Sequence, residues 1–184
     1  MDNGACSYRR YLAGDDGGLA EIIREYRNGL IFYLNGFVND VNAAEDLAED
    51  VFVKLAVKRP RFGERSSFKT WLYAIGRNEA YQRLRRGSFT YTPLDELPET
   101  PATGDGPEDA YLRDEKRRAL RRCLARLRSE YHQVLWLYYF EEFSAKEIAV
   151  IMKRSVHSVD SLLYRARNAV RSELETEGFT DETL

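Results

Sequence analysis

The chain has 184 residues, 43% of them hydrophobic and 32% charged, with a formal net charge of −2. That length allows one domain or two small ones, and the composition is that of a packed globular protein. Near-neutrality excludes a uniformly cationic, free-standing nucleic-acid binder, so any such role needs basic residues gathered locally or a partner that supplies affinity. The two cysteines, Cys6 and Cys123, stand far apart, and His132 and His157 complete no zinc spacing with them, so no metal or cofactor is expected. The start Met1-Asp2-Asn3-Gly4 has neither the basic nor the apolar part of a signal peptide. The longest apolar run, residues 134–140, is far too short for a bilayer. A cytoplasmic protein with no membrane insertion is expected.

Helical periodicity dominates the chain, and no strand alternation stands against it. Leu19, Ile22, Ile23, Tyr26, Leu30, Tyr33, Leu34 and Phe37 recur at three- and four-residue steps and predict a first helix. Asp40 is a candidate cap for a second helix, with Ala44, Leu47, Val51 and Leu55 as its apolar stripe. Pro60 and Gly63 interrupt that stripe, and a third helix is expected over residues 67–86, with Phe68, Trp71, Leu72, Ile75 and Leu84 at helical spacing. Residues 88–107 hold four of the five prolines together with Asp95, Glu96, Glu99 and Asp105, and no basic residue. Such a stretch reads as a flexible acidic linker. The expected fold is therefore all-α: a helical domain over residues 15–87, the linker, a second helical domain over residues 108–175 and a short tail over residues 176–184.

Charge segregates along the same lines. Arg59, Arg61, Arg65, Lys69, Arg77, Arg83, Arg85 and Arg86 concentrate at the end of the first domain, whereas Asp40, Glu45, Asp46, Glu49 and Asp50 make the second helix acidic. The basic loop and third helix also carry Phe62, Phe68, Trp71, Tyr73 and Tyr81. Cations interleaved with aromatic rings suit a single nucleic-acid strand, the cations meeting phosphates and the rings meeting unstacked bases. Phe68, Trp71 and Ile75 also share one stripe, so for Trp71 a place in the core is the simpler expectation.

In the second domain, Ser144-Ala145-Lys146-Glu147 is a capping box. Ile148, Ala149 and Met152 give the following helix a buried face, and Lys153-Arg154 breaks it. Ser155 is a second candidate cap, and Val159, Leu162, Leu163, Ala166 and Val170 form the next stripe. Two short helices joined by a tight turn match a helix-turn-helix. The start of the second helix would then face bases with His157, Ser158, Asp160 and Ser161, while Arg165, Arg167 and Arg171 lie along the backbone.

Ala44-Glu45-Asp46-Leu47 with Asp50 and Phe52, then Trp71-Leu72, Ile75, Arg77-Asn78 and Arg85-Arg86, resembles domain 2 of bacterial RNA polymerase sigma factors. With a linker and a terminal helix-turn-helix, the whole chain resembles the small extracytoplasmic-function (ECF) group of the sigma-70 family. The resemblance implies that Glu45, Asp46, Leu47, Glu49, Asp50 and Phe52 bind core polymerase at the β′ clamp helices, with the second domain near the β flap. It implies that residues 61–68 capture a flipped base of the −10 element, with Arg61, Phe62, Ser66, Lys69, Arg77, Asn78, Tyr81 and Arg85 contacting −10 DNA. It assigns −35 contacts to Ser155, His157, Ser158, Asp160, Ser161, Tyr164, Arg165 and Arg167. An anti-sigma protein is an implied further partner. Glu49 and Gln82 stand where the family more often has Gln and Asp, and Asp160 and Leu162 occupy commonly basic positions, which predicts an unusual −35 preference. The competing expectations are a helix-turn-helix regulator acting without polymerase and an adaptor docking through the acidic helix alone. An enzyme is disfavoured, since no phosphate loop, metal cluster or nucleophile–base pair is present in the sequence.

Overall fold

A computed structural model describes residues 2–87, 123–124 and 126–176. Its described regular elements are helical. Helix α1 (Asn3–Leu12) starts at Asp2, whose side chain accepts from the Ala5 amide, and buries Ala5, Tyr8 and Tyr11 on one face. It ends before Gly14, which sits at φ 101°, a conformation glycine adopts without a Cβ penalty. Helix α2 (Gly17–Val38) is the central rod, with Ile22, Tyr26, Leu30, Tyr33 and Leu34 buried. Helix α3 (Val41–Lys58) is capped by Asp40, which accepts from the Ala43 amide at 3.0 Å. Helix α4 (Phe68–Arg85) is capped by Ser67, which accepts from the Thr70 amide at 3.2 Å. The Asp40 cap stands where the residue pattern puts it, and Ser67, expected as the start of the third helix, is its cap.

Helix α5 (Ser129–Leu135) runs into a π-helical segment, Trp136–Phe140. Helix α6 (Ala145–Met152) carries the capping box, with the Ser144 hydroxyl and the Glu147 carboxylate each serving the other's amide. Lys153 closes it in the left-handed conformation at φ 54°, and α7 (Val156–Thr176) follows. Ser155 caps α7 by accepting from the Ser158 amide at 3.2 Å. Residues 88–107, read as linker, residues 108–122 at the start of the expected second domain, and all but the first residue of the expected tail over 176–184 lie outside the described residues.

Two results were not legible in the pattern. The first is α1, which packs along α2 ahead of the first expected helix. The second is that the two helical units dock on one another. Helix α2 packs on α5 and on the π segment, and α4 packs on α6. Their buried side chains form one continuous apolar cluster, from Ala5 to Ala166.

Candidate nucleic-acid interface

The N-terminal unit presents a loop, residues 59–67, followed by α4. Arg61 is exposed at the start of that loop, and Phe62 is half-buried. The Phe62 ring lies 5.6 Å from Phe68 and 5.2 Å from Trp71. Trp71 is itself half-buried in this cluster, which Tyr8 completes at 5.4 Å, so it is an aromatic wall and not a sealed core residue. The Ser66 hydroxyl is turned inward to the Ser67 carbonyl. Farther along α4, the Arg77 guanidinium stacks over Tyr81 at 4.4 Å, and Tyr81 meets Phe37 edge-on at 5.5 Å. Arg77 and Tyr81 thus form one preset cation–aromatic unit, with Arg85 exposed one turn on.

Two residues of this face are engaged by the C-terminal unit. The Lys69 ammonium donates to the Glu141 carbonyl at 2.9 Å and pairs with the Glu141 carboxylate at 2.8 Å. It also sits 4.9 Å over the Phe143 ring. Lys153, in the turn of the helix-turn-helix, donates to the Asn78 side-chain oxygen at 2.8 Å. Glu147 extends its capping box across the same boundary by accepting from the hydroxyls of Ser67 and Thr70. Burial works against the charge of Glu147, but hydrogen bonds from Ser144, Thr70 and Ser67 outweigh it and hold its carboxyl below the ordinary value. The beginning of α4 and the beginning of α6 therefore share one carboxylate.

The close approach depends on two glycines of α2 seven residues apart, on one face of the helix. A Cβ on Gly29 would overlap the Glu141 carboxylate and the Tyr73 hydroxyl, and one on Gly36 would overlap the His132 ring. His132 stacks on Trp136 at 6.4 Å, and Trp136 on Phe140 at 4.3 Å. Burial pushes His132 down to about 4, and its Nδ1 has no hydrogen-bond partner, so the ring is held neutral. The neighbouring Ser129 hydroxyl donates to the Gly36 carbonyl at 2.5 Å.

The second helix of the helix-turn-helix is far more open. Ser155, His157, Asp160, Tyr164, Arg165 and Arg167 are exposed along α7, and Ser158 and Ser161 are half-buried. Tyr164 is 67% exposed. The Arg167 guanidinium lies 5.4 Å over Tyr138 and 5.5 Å over Tyr139 of the π segment. Sequence reasoning missed these exposed aromatics, because a π segment breaks the helical period. Leu162 is buried on the face that meets α6, so it cannot stand in for a basic DNA contact.

The acidic α3 divides into two faces. Glu49, Asp46 and Asp50 are exposed and Glu45 is half-buried. Asp46 and Asp50 pair with Arg83 at 3.4 and 3.0 Å, and Glu45 with Arg27 at 3.3 Å. Exposed pairs of this kind are weak, so a basic partner can displace them. Leu47 and Phe52 are corrections to the expected surface. They point into the core at 0% and 6% exposure, since each falls on the stripe that α3 turns toward its neighbours.

The family model for sigma-70 region 2 matches residues 22–90, and that for sigma-70 region 4 matches residues 117–170. The chain belongs to the sigma-70 family of RNA polymerase sigma factors. It binds core polymerase and directs promoter-specific transcription initiation, as an ECF-group member. It is 33% identical over 151 residues to RNA polymerase sigma factor YlaC of Bacillus subtilis strain 168, covering 81% of this chain and 87% of that one. It is 29% identical over 170 residues to the ECF sigma factor SigW of the same organism, covering 88% and 91%. By fold, this sigma factor is similar to CnrH, solved in complex with the cytosolic domain of CnrY. That match has a TM-score of 0.68 and 18% identity, covering 95% of this chain and 99% of the other. It is also similar to the sigma factor RpoE of Bartonella quintana, solved with the anti-sigma factor NepR, at a TM-score of 0.65 and 22% identity over 85% and 96% of the chains. Among the described residues, no helix of this sigma factor is long and apolar enough to cross a membrane.

Proposed function

We propose that this sigma factor reads its promoter with two surfaces that cannot both work in the docked arrangement. The −10 surface comprises Arg61, Phe62, Ser66, Lys69, Arg77, Asn78, Tyr81 and Arg85. The −35 surface comprises Ser155, His157, Ser158, Asp160, Ser161, Tyr164, Arg165 and Arg167. Core polymerase docks on Glu45, Asp46, Glu49 and Asp50, where β′ clamp helices of basic character replace the Arg83 and Arg27 pairs. The second unit takes the β flap. Core enzyme then supplies the affinity that a net charge of −2 withholds. The protein acts in the cytoplasm and performs no catalysis of its own.

One observation carries the proposal: Lys69 and Asn78, at the centre of the −10 face, are bonded to Glu141 and Lys153 of the other unit. DNA reaches them only after the units part. Binding to core polymerase is the natural source of that separation, because it favours the state with two exposed surfaces. The similarly folded RpoE of Bartonella quintana, solved with the anti-sigma factor NepR, supports a protein antagonist for this chain too.

The test is run-off transcription by bacterial core polymerase on a promoter library, with and without the chain. Chain-dependent starts that vanish when the −10 element is altered are expected, and Arg77→Ala or Asn78→Ala should reduce them at least several-fold. Absence of initiation on every template overturns the promoter assignment. Unaltered starts from the Arg77 and Asn78 variants overturn the −10 surface alone.

A further inference from the structure

Helix α1 lies ahead of the region 2 match, which begins at residue 22, and none of its residues is among those assigned to the promoter surfaces. Its contacts nevertheless converge on the loop of residues 59–67. At one end of the loop, the Tyr8 hydroxyl donates to the Pro60 carbonyl at 2.7 Å, and just before it, in the last turn of α3, the Ala56 carbonyl accepts from the Tyr11 hydroxyl at 2.8 Å. The Tyr11 ring also lies 5.0 Å beneath the Arg59 guanidinium. At the other end, the Asp2 carboxylate accepts from the Phe68 amide at 2.6 Å, while its second oxygen caps α1 itself. Between them, Arg9 approaches Glu64 at 4.0 Å.

The backbone of the loop needs such support. Arg59 and Glu64 hold left-handed conformations, at φ 42° and 52°, which side chains with a Cβ rarely adopt. Strained residues persist only where surrounding contacts over-determine them. Here Tyr11 packs under the Arg59 side chain, while the exposed Arg9–Glu64 pair adds little. The rings agree with the hydrogen bonds: Tyr8 is 1% exposed and lies 5.4 Å from both Phe68 and Trp71, the rings that back Phe62. Burial, chiefly, pushes the Tyr8 hydroxyl up to about 12, so it stays protonated and serves as a fixed donor.

We infer that α1 is a clasp that sets the shape of the −10 loop, with Tyr8 and Asp2 as positioning residues for −10 base discrimination. The inference rests on the assignment of that loop to the −10 element. A helix that only stabilised the fold would have no reason to hold both ends of one loop. Misplacing a recognition pocket by a fraction of an ångström costs selectivity before it costs folding.

The experiment uses holoenzyme assembled from core polymerase and the full chain, and measures initiation on templates matched or singly altered at each −10 position. The readout is the ratio between them at saturating sigma factor. Melting temperature and core binding are measured on the same preparations. Tyr8→Phe, which keeps the ring, and Asp2→Asn, which keeps the shape, are each expected to lower the discrimination ratio about threefold to tenfold, the range of one lost hydrogen bond. Core binding should be unchanged. Phe62→Ala is the reference for the loop itself. If it lowers the ratio while Tyr8→Phe and Asp2→Asn do not, the clasp is overturned and the loop assignment stands. If Phe62→Ala also leaves the ratio unchanged, the loop assignment falls and the clasp with it. A fall in melting temperature with an intact ratio shows a merely structural helix and likewise overturns the inference.

Discussion

Helices α4 and α7 carry the same kind of chemistry, arginines beside tyrosines on one exposed side, but they are presented differently. Along α7, Tyr164, Arg165 and Arg167 face outward, and their nearest contacts come from their own unit. Along α4, Lys69 and Asn78 are bonded to the other unit, and Arg77 is stacked on Tyr81. Duplex DNA can be met by a helix that is always open. A melted strand needs a loop and rings that would otherwise attract any single strand or apolar surface. Docking engages the polar groups of the more promiscuous surface in intramolecular bonds and leaves the −35 helix unhindered.

The contact between the units depends most on Glu141. Glu141→Lys sets a second ammonium group beside Lys69 and removes the acceptor of the Trp136 indole, which lies 3.3 Å away. Docking should weaken by about 2 kcal/mol once the partial exposure of Lys69 is allowed for. Small-angle scattering should record a larger radius of gyration for the free chain, and the charge-swapped double variant with Lys69→Glu should recover part of the compaction. An unchanged radius in the single variant would show that the pair does not hold the units.

Gly36→Ala acts next. The added methyl meets the His132 ring, an overpacking that costs about 1–3 kcal/mol at the boundary, whereas alanine within a helix gains about 1 kcal/mol over glycine. The prediction is therefore an N-terminal unit that melts no earlier, in a chain that is less compact. Compaction equal to wild type would contradict it.

Acid should loosen the same contact. His132 titrates near 4 when docked and near 6.5 when free, so the separated form binds more protons between those values. The stabilisation is complete above pH 6.5 and lost as pH falls toward 4. Glu147, held below its ordinary carboxyl range, loses its contribution at still lower pH. Scattering from pH 7 to 4 should show expansion in wild type and a flatter response in His132→Gln. Glu147→Gln at neutral pH should cost about 1 kcal/mol, the value of a helix cap, measured by thermal unfolding.

Asp160→Lys should have the smallest effect on the docked form, because Asp160 lies exposed on α7. Its consequence belongs to the other surface. A carboxylate in a major groove can accept from cytosine but repels phosphate, so the lysine should change −35 selectivity in a promoter library. Unchanged selectivity would remove Asp160 from the −35 set.

The sequence made the caps and the buried stripes legible. Asp40, Ser144 and Ser155 each mark a helix start because capping is local chemistry, complete within three residues. The exposed acidic face of α3 and the outer face of α7 follow from periodicity. Helix α1 stayed hidden because Ala5, Tyr8 and Tyr11 make too short a stripe to stand alone, and its stability comes from tertiary packing. Leu47 and Phe52 were misplaced because a motif names residues without saying which face they share. The docking of the two units rests on Gly29 and Gly36 approaching residues about a hundred positions away, which no local pattern can announce.

The most direct test of the account is a single distance. Site-specific fluorescent labels at the exposed Asn28 of α2 and Lys146 of α6 report the separation of the two units. Transfer should be efficient in the free chain and fall sharply when core polymerase and a −10/−35 promoter are added. An initiating complex in which transfer stays as efficient as in the free chain would contradict the claim that the −10 face must be uncovered before it works.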